Sequence, residues 1–268
     1  MNLAPQKIAE DFLELASEQR LGILFLLLEK KLTISKIAQE LDTSAPEVHR
    51  NITRMLKNKL VEKDNDSNFS LTIFGKTICD ILPSFSFISE NRTFFEKHDL
   101  GNLEIKFIQR LGSLQEHKKI KGFVKVLEKW TEVHKNSEKY IYNLLPEVPY
   151  SKEIIEVVES KLKSGITIKS IFSESTIVPE ERKEIFQKKN FQKFIREGNL
   201  ERKMTDKISI VTLLNEKEAC VIFPAKNGES DLSEMLYSKD PQFHGWCLDY
   251  FNNCWNESSS FKEDKLVK

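Results

Sequence analysis

The chain has 268 residues, which exceeds one small domain and predicts two. Its 41 Lys and Arg balance 41 Asp and Glu, so it carries no net charge. That excludes broad coating of nucleic acid by bulk charge but leaves room for a local basic patch.

The chain opens with helical patterns. Ile8, Phe12, Leu15 and Ala16 recur on one face of an amphipathic helix. Ser17-Glu18-Gln19-Arg20 then caps a second helix, Leu21 to Lys30, apolar nearly all round as a core helix would be. A short helix follows from about Ser35 to Leu41, capped by Thr33 or Ser35 and burying Ile34, Ile37, Ala38 and Leu41. Asp42-Thr43-Ser44 is a turn, Ser44 is placed to cap the next helix, and Pro46 sits in that helix's first turn, where its missing N–H costs nothing.

On this fourth helix Ala45, Val48, Ile52, Met55 and Leu56 share one face. The opposite face carries Pro46, Glu47, Arg50, Arg54 and Lys57, flanked by His49, Asn51 and Thr53. Arginine pairs bidentately with guanine in the major groove and asparagine with adenine, while lysines such as Lys57 and Lys63 suit phosphates. Leu60–Lys63 and Phe69–Thr72 then read as two short strands joined by the turn-forming run Asp64–Asn68. Lys63 and Asn68 would reach an adjacent minor groove. Thr33 to Lys63 holds six Lys or Arg against four Asp or Glu, a mild local excess. The candidate DNA-binding set is therefore Ser44, Pro46, Glu47, His49, Arg50, Asn51, Arg54, Lys57, Lys63 and Asn68.

Gly75 to Leu82 begins a further helix that Pro83 is expected to end. An aromatic segment (Phe85, Phe87, Phe94, Phe95) precedes a helix through Phe107, Leu111 and Leu114. Phe123, Val126, Leu127 and Trp130 share a helical face, with a second helical run through Tyr140, Ile141 and Leu144. Beyond Pro146 and Pro149 the pattern changes: a helix over Ile154–Leu162 stops at Gly165, and Ile166–Phe172 alternates as a buried strand. Residues 179–197 are charged and helical, Ile208–Leu214 and Ala219–Phe223 form a hairpin, and a last helix carries Trp246, Tyr250, Phe251 and Trp255.

Helix, tight turn, helix, hairpin is the order of a winged helix-turn-helix. The segment resembles the ArsR-like pattern through Ser44-x-Pro46-x-Val48-His49-Arg50-x-Ile52, Leu60-Val61 and Leu71-Thr72-x-x-Gly75. It departs at His49, usually a small polar residue, and at Lys59, often glycine; a left-handed Lys59 would cost stability. Farther on, Asn91-x-x-Phe94-Phe95-x-x-His98-Asp99-Leu100 and Phe107-x-x-Arg110-Leu111-Gly112-x-Leu114 resemble archaeal transcription regulators related to the methanogenesis regulatory protein. The helix–Gly165–strand unit and Trp246…Phe251…Trp255 fit the same likeness. It implies an N-terminal winged helix joined to a C-terminal effector domain like a phospholipase-D fold without its chemistry.

The expected architecture is α/β with a separate winged helix. It comprises a DNA-binding domain over 1–82, a helical connector or dimerisation segment over 83–136, an α/β effector domain over 137–258 and a flexible tail over 259–268. No catalytic set is expected: His117-Lys118-Lys119 begins a phospholipase-D-like motif, but Val124 stands where an Asp is required. His98-Asp99 reads as a packing or hydrogen-bonding pair. Cys79, Cys220, Cys247 and Cys254 form no CxxC pair and have no histidine at zinc-ligand spacing, which predicts free thiols with no metal or cofactor.

The N-terminus lacks a secretory leader's charged-then-apolar design, and the longest apolar run, Ile23 to Leu28, is too short for a bilayer. The reading is a cytoplasmic, homodimeric transcription regulator of a double-stranded operator. Phe12, Leu15 and Thr77–Leu82 would lie at the dimer interface. A small-molecule effector would bind near Phe172, Ser173 and Ser175, at the C-terminal end of the buried strand. The alternative is a winged helix that docks protein without a specific DNA target.

Overall fold

The computed structural model describes residues 4–146, 152–176 and 191–262. The chain divides into two compact units, Met1–Pro83 and Ser84–Lys268. The first is helical with a two-stranded hairpin and the second is a mixed α/β unit around a large sheet.

In the first unit, α1 (Pro5–Leu15), α2 (Glu18–Glu29), α3 (Ile34–Glu40) and α4 (Ala45–Lys57) precede β1 (Val61–Lys63) and β2 (Phe69–Leu71). The two strands are antiparallel, with Glu62 opposite Ser70. One core gathers Ile23, Leu24 and Leu27 of α2, Ile37 of α3, Val48, Ile52 and Met55 of α4, and Phe69 of the hairpin. α2 is less buried than its composition suggests, since Phe25 and Leu28 are exposed. On α4, Leu56 is only half-buried and Ala45 is exposed, so the buried stripe is narrower than expected. Thr33 stands at the N-cap of α3, but its hydroxyl meets Ser35 Oγ at 3.1 Å rather than a backbone N–H.

Helix α4 is well delimited. The Ser44 hydroxyl accepts from the Glu47 N–H at 3.4 Å, a cap worth about 1 kcal/mol. At the other end Leu60 N–H reaches Met55 O and Lys59 N–H reaches Leu56 O, both at 3.0 Å. This pair of bonds is the Schellman closure, which needs a left-handed residue. Lys59 supplies it, with φ +57°. Gly75 serves the same junction from the other side: a Cβ there would lie 2.0 Å from Leu60 O.

Helix α5 (Ile73–Glu90) does not stop at Pro83. It continues into the second unit, where Phe87 is fully buried, and burial of that ring offsets the missing backbone bond at the proline. α6 (Arg92–Phe95), α7 (Ile105–Ile108) and a 3-10 turn (Leu111–Leu114) follow. Then come β3 (Lys118–Lys121), α8 (Phe123–Asn136), β4 (Tyr140–Leu145), α9 (Lys152–Lys163), β5 (Thr167–Ser173), α10 (Phe191–Arg196), β6 (Leu200–Thr205), β7 (Val211–Leu214), β8 (Ala219–Ile222), β9 (Glu234–Ser238), α11 (Pro241–Glu257) and β10 (Ser259–Ser260). The sheet runs β10-β6-β5-β4-β7-β8-β9-β3. β4, β5 and β6 are mutually parallel and every other pairing is antiparallel.

Alternate residues of these strands enter two cores. One holds Ile141, Ile168 and Phe172 with Trp130 of α8, Ile154 of α9 and Phe191 of α10. The other holds Leu144, Ile171 and Val221 with Phe87, Phe94, Phe107 and, from α11, Trp246 and Phe251.

Three expectations are corrected here. The helical connector expected over 83–136 does not stand apart, since from Ser84 on these residues belong to the second unit: β3 pairs with β9, and Phe87, Phe107 and Leu111 fill the second core. Tyr140–Leu145 is a strand, because its residues pair with β5 on one side and β7 on the other. The start of the 259–268 tail is ordered, with Ser259 and Ser260 pairing onto β6. Of the helical stretch expected at 179–197, residues up to 190 lie outside those described.

The Lys59 geometry yields a stability prediction. Lys59→Gly relieves left-handed strain and should stabilise the protein by roughly 0.5–1 kcal/mol net of glycine's greater unfolded-state entropy. Gly75→Ala should destabilise it, because the added Cβ meets Leu60 O. Urea unfolding midpoints check both; a lower midpoint for Lys59→Gly would contradict the assignment.

Candidate nucleic-acid interface

The face of α4 opposite its buried stripe is where the sequence places most of its DNA contacts. Arg50 and Lys57 are exposed there, with His49 exposed on the flank, and the side chains of all three make no hydrogen bond or ion pair among the described residues. Three other candidates on this helix, Glu47, Asn51 and Arg54, are engaged within the unit. Glu47 Oε2 accepts from Thr43 Oγ1 at 3.1 Å, bracing the turn before α4. Asn51 Nδ2 donates to Gln19 Oε1 at 2.9 Å, which ties α4 to α2. Arg54 does not stand free either: its guanidinium donates to both Glu14 carboxylate oxygens, at 2.6 and 2.7 Å.

On the hairpin, Lys63 is exposed with its ammonium 5.8 Å from the Phe69 ring centre. Asn68 is half-buried, its N–H donating to Asp64 Oδ1 at 2.9 Å. Ser44 is spent as the cap, and Pro46 is exposed in the first turn.

The Glu14–Arg54 pair has its own support. Arg20, 8 % exposed, donates through Nε to Glu14 O and through Nη2 to Leu13 O, so it closes the C-terminal turn of α1. That fixes the backbone from which Glu14 projects. Hydrogen bonding from Arg54 holds the Glu14 carboxyl below its usual range; partial burial opposes the shift, and the charges of Arg54, Arg20 and Lys57 add to it. Nothing in local periodicity signals this pair, because its partners lie 40 positions apart.

In the second unit, Phe172 is buried in a core, while Ser173 Oγ meets Ser175 Oγ at 2.7 Å and donates to Asp206 O at 3.2 Å. The two serines therefore satisfy each other at the end of β5 and do not line a cavity with Phe172. His98 pairs with Asp231 (Nε2 to Oδ2, 3.1 Å) rather than with Asp99, and its ring stacks on Phe94 at 3.9 Å. Asp99 instead accepts from the Gly101 N–H at 2.7 Å. His117 Nδ1 lies 2.7 Å from Leu114 O, and Val124 is exposed. All four cysteines are free, and burial pushes the thiols of Cys79, Cys220, Cys247 and Cys254 upward in pKa. Among the described residues no helix is long and apolar enough to cross a membrane, and no group of three or more His, Cys, Asp or Glu is placed to hold a metal.

Residues 12–87 match the sequence family described as the methanogenesis regulatory protein FilR1, N-terminal domain. No curated protein matches the chain. Among solved structures the chain is similar to TrmBL2, an archaeal chromatin protein, at 13 % identity and a TM-score of 0.41, covering 91 % of this chain and 94 % of that one. It is also similar to Nuc, a phospholipase D family member from Salmonella typhimurium, at 11 % identity and TM-score 0.39, over 55 % of this chain and 99 % of that one. NucT from Helicobacter pylori overlaps at 12 % identity and TM-score 0.40, over 55 % of this chain and 100 % of that one. At such scores none of the three assigns an activity to this chain.

The ion pair predicts a pH dependence. A carboxyl whose folded pKa is depressed contributes stability above its unfolded value, and that stability is lost as pH falls through the folded value. The midpoint difference between the native protein and Glu14→Gln should therefore be present near neutral pH. It should shrink below about pH 4, the ordinary carboxylate range. A constant difference across that range would show that Glu14 acts by packing alone.

Proposed function

We propose that the first unit is a winged helix of ArsR-like pattern that binds double-stranded DNA with α4 in the major groove. The observation that carries this reading is the unpaired row His49, Arg50 and Lys57 on the exposed side of a helix capped at both ends. The match of residues 12–87 to a regulatory-protein family supports it. Arg50 is the base reader, Lys57 and Lys63 are phosphate anchors, and His49 modifies which bases are accepted. Arg54 acts first as the tie to α1 and contributes to DNA only after exchanging Glu14 for a phosphate.

The protein works as a cytoplasmic homodimer, because one head on a neutral chain makes too few phosphate contacts for tight specific binding. The exposed Ile8, Phe12 and Leu13 of α1 and Ile81 of α5 supply an apolar surface for pairing. Leu15, in contrast, packs against the unit's own core. The second unit serves as a non-catalytic sensor. The same apolar surface also favours the rival reading, a winged helix that docks a different protein. Binding to DNA from the chain's own upstream region, compared with random fragments, separates the two.

Arg50→Ala should weaken specific DNA binding by roughly 1–3 kcal/mol with an unchanged unfolding midpoint. Lys57→Ala should weaken all sequences alike and lower the salt slope by about one. Unchanged affinity in Arg50→Ala, measured by fluorescence anisotropy, would overturn the assigned face.

A further inference from the structure

The core between the sheet and helices α8, α9 and α10 is largely apolar, and one polar line crosses its parallel strands. Asn143 of β4 is the register partner of Ser170 of β5, and Ser170 is the partner of Arg202 of β6. These three residues lie side by side across the parallel strands, on the face that otherwise presents Ile141, Leu145, Ile168 and Phe172. His134 of α8 completes the polar set above them. Asn143 is 4 % exposed, Ser170 6 % and His134 3 %.

Between these groups lies a cavity of about 90 Å³, walled by Trp130, Phe172, Phe191, Ile154, Ile168 and Leu200. The Asn143 Oδ1 atom is buried and has no hydrogen-bond partner among the described residues. Leaving a buried amide oxygen unsatisfied costs on the order of 1–3 kcal/mol, so a bare Asn143 is an expensive choice in a strand core. The His134 Nδ1 atom lies 2.8 Å from Trp130 O, which sets its proton there and leaves Nε2 as an acceptor. Burial holds this imidazole neutral, with its pKa lowered to about 4. The guanidinium of Arg202 is turned onto the Phe261 ring, 4.3 Å from its centre.

We propose that this cavity binds a small neutral molecule with an apolar, ring-sized body and one hydrogen-bond donor, a phenol-like or short branched alcohol-like ligand, whose hydroxyl or N–H is received by Asn143 with Ser170 and His134. The cavity walls give most of that space no polar partner, which favours an apolar body over a water cluster. The cavity is also well below the roughly 300 Å³ of a drug-sized site. A cation would find no negative charge among the described lining residues, the Arg202 guanidinium there already lies over the Phe261 ring, and two acceptors facing one space select a donor. The site deepens the sensor reading of the second unit and rests on it only for the consequence of binding.

The test uses the full-length protein with phenol, and with anisole and toluene as donor-free rings of similar size, read by calorimetry and thermal unfolding. Phenol should bind one to one and raise the unfolding temperature, with anisole and toluene weaker by roughly three- to tenfold, the worth of one hydrogen bond. Asn143→Leu should erase that preference. Val158→Phe, from α9 at the cavity wall, should abolish binding of all three while the protein still melts cooperatively. Absence of phenol binding at millimolar concentration, an undiminished preference in Asn143→Leu, or unaltered binding in Val158→Phe would each overturn the proposal. Affinity for the upstream DNA, measured with and without phenol, addresses the sensor reading separately. Phenol binding that leaves DNA affinity unchanged keeps the site and rejects its role in regulation.

Discussion

Burial of both faces of the eight-stranded sheet is the constraint on which the second unit depends. Parallel strands β4, β5 and β6 leave two apolar surfaces that cannot face water, so helices must cover each. One face is closed by α8, α9 and α10, and the other by α11 with the aromatic residues between Phe87 and Leu114. That requirement recruits residues 84–136 into the unit. It also makes any polar residue on these faces conspicuous, since every such position displaces an apolar contact. The row through Asn143 and Ser170 is such a departure, and His134 lies over it from the covering helix.

Much of the first unit is legible in the sequence because its signals are local. The stripe Val48, Ile52 and Met55, the Ser44 cap and the Pro46 start all lie within one helix, and each is present as read. The ArsR-like resemblance marks Lys59 as a position where glycine is common, and its φ is positive. The second unit is harder for identifiable reasons. Tyr140, Ile141 and Leu144 suit a helix as well as a strand, and only pairing with residues far along the chain decides between them. β6, Leu-Glu-Arg-Lys-Met-Thr, lacks the apolar alternation of a strand because its inner neighbour is β5 but its outer neighbour is only the two-residue β10. β3, Lys-Lys-Ile-Lys, has a single apolar residue, and β9 is decided by its pairing with β8 and β3.

The candidate interface divides along the same line. Exposure of Arg50 and Lys57 follows from helical geometry alone. The ties of Asn51 to Gln19 and of Arg54 to Glu14 do not, because they join positions 32 and 40 residues apart. Two residues of the expected reading set are thus also fasteners of the helical unit. A substitution at either removes a tie between helices as well as an outward polar group.

The two outer strands of the sheet differ from those within. β3 is Lys-Lys-Ile-Lys with all three ammonium-bearing residues exposed, and β10 at the opposite margin is two serines long. A sheet margin with unpaired backbone groups is a template for a strand from another molecule, and closely spaced lysines or extreme brevity are what deny it. Both margins therefore offer little to a strand from another molecule. Contacts made through the covering helices instead end at a finite surface and do not propagate into fibres.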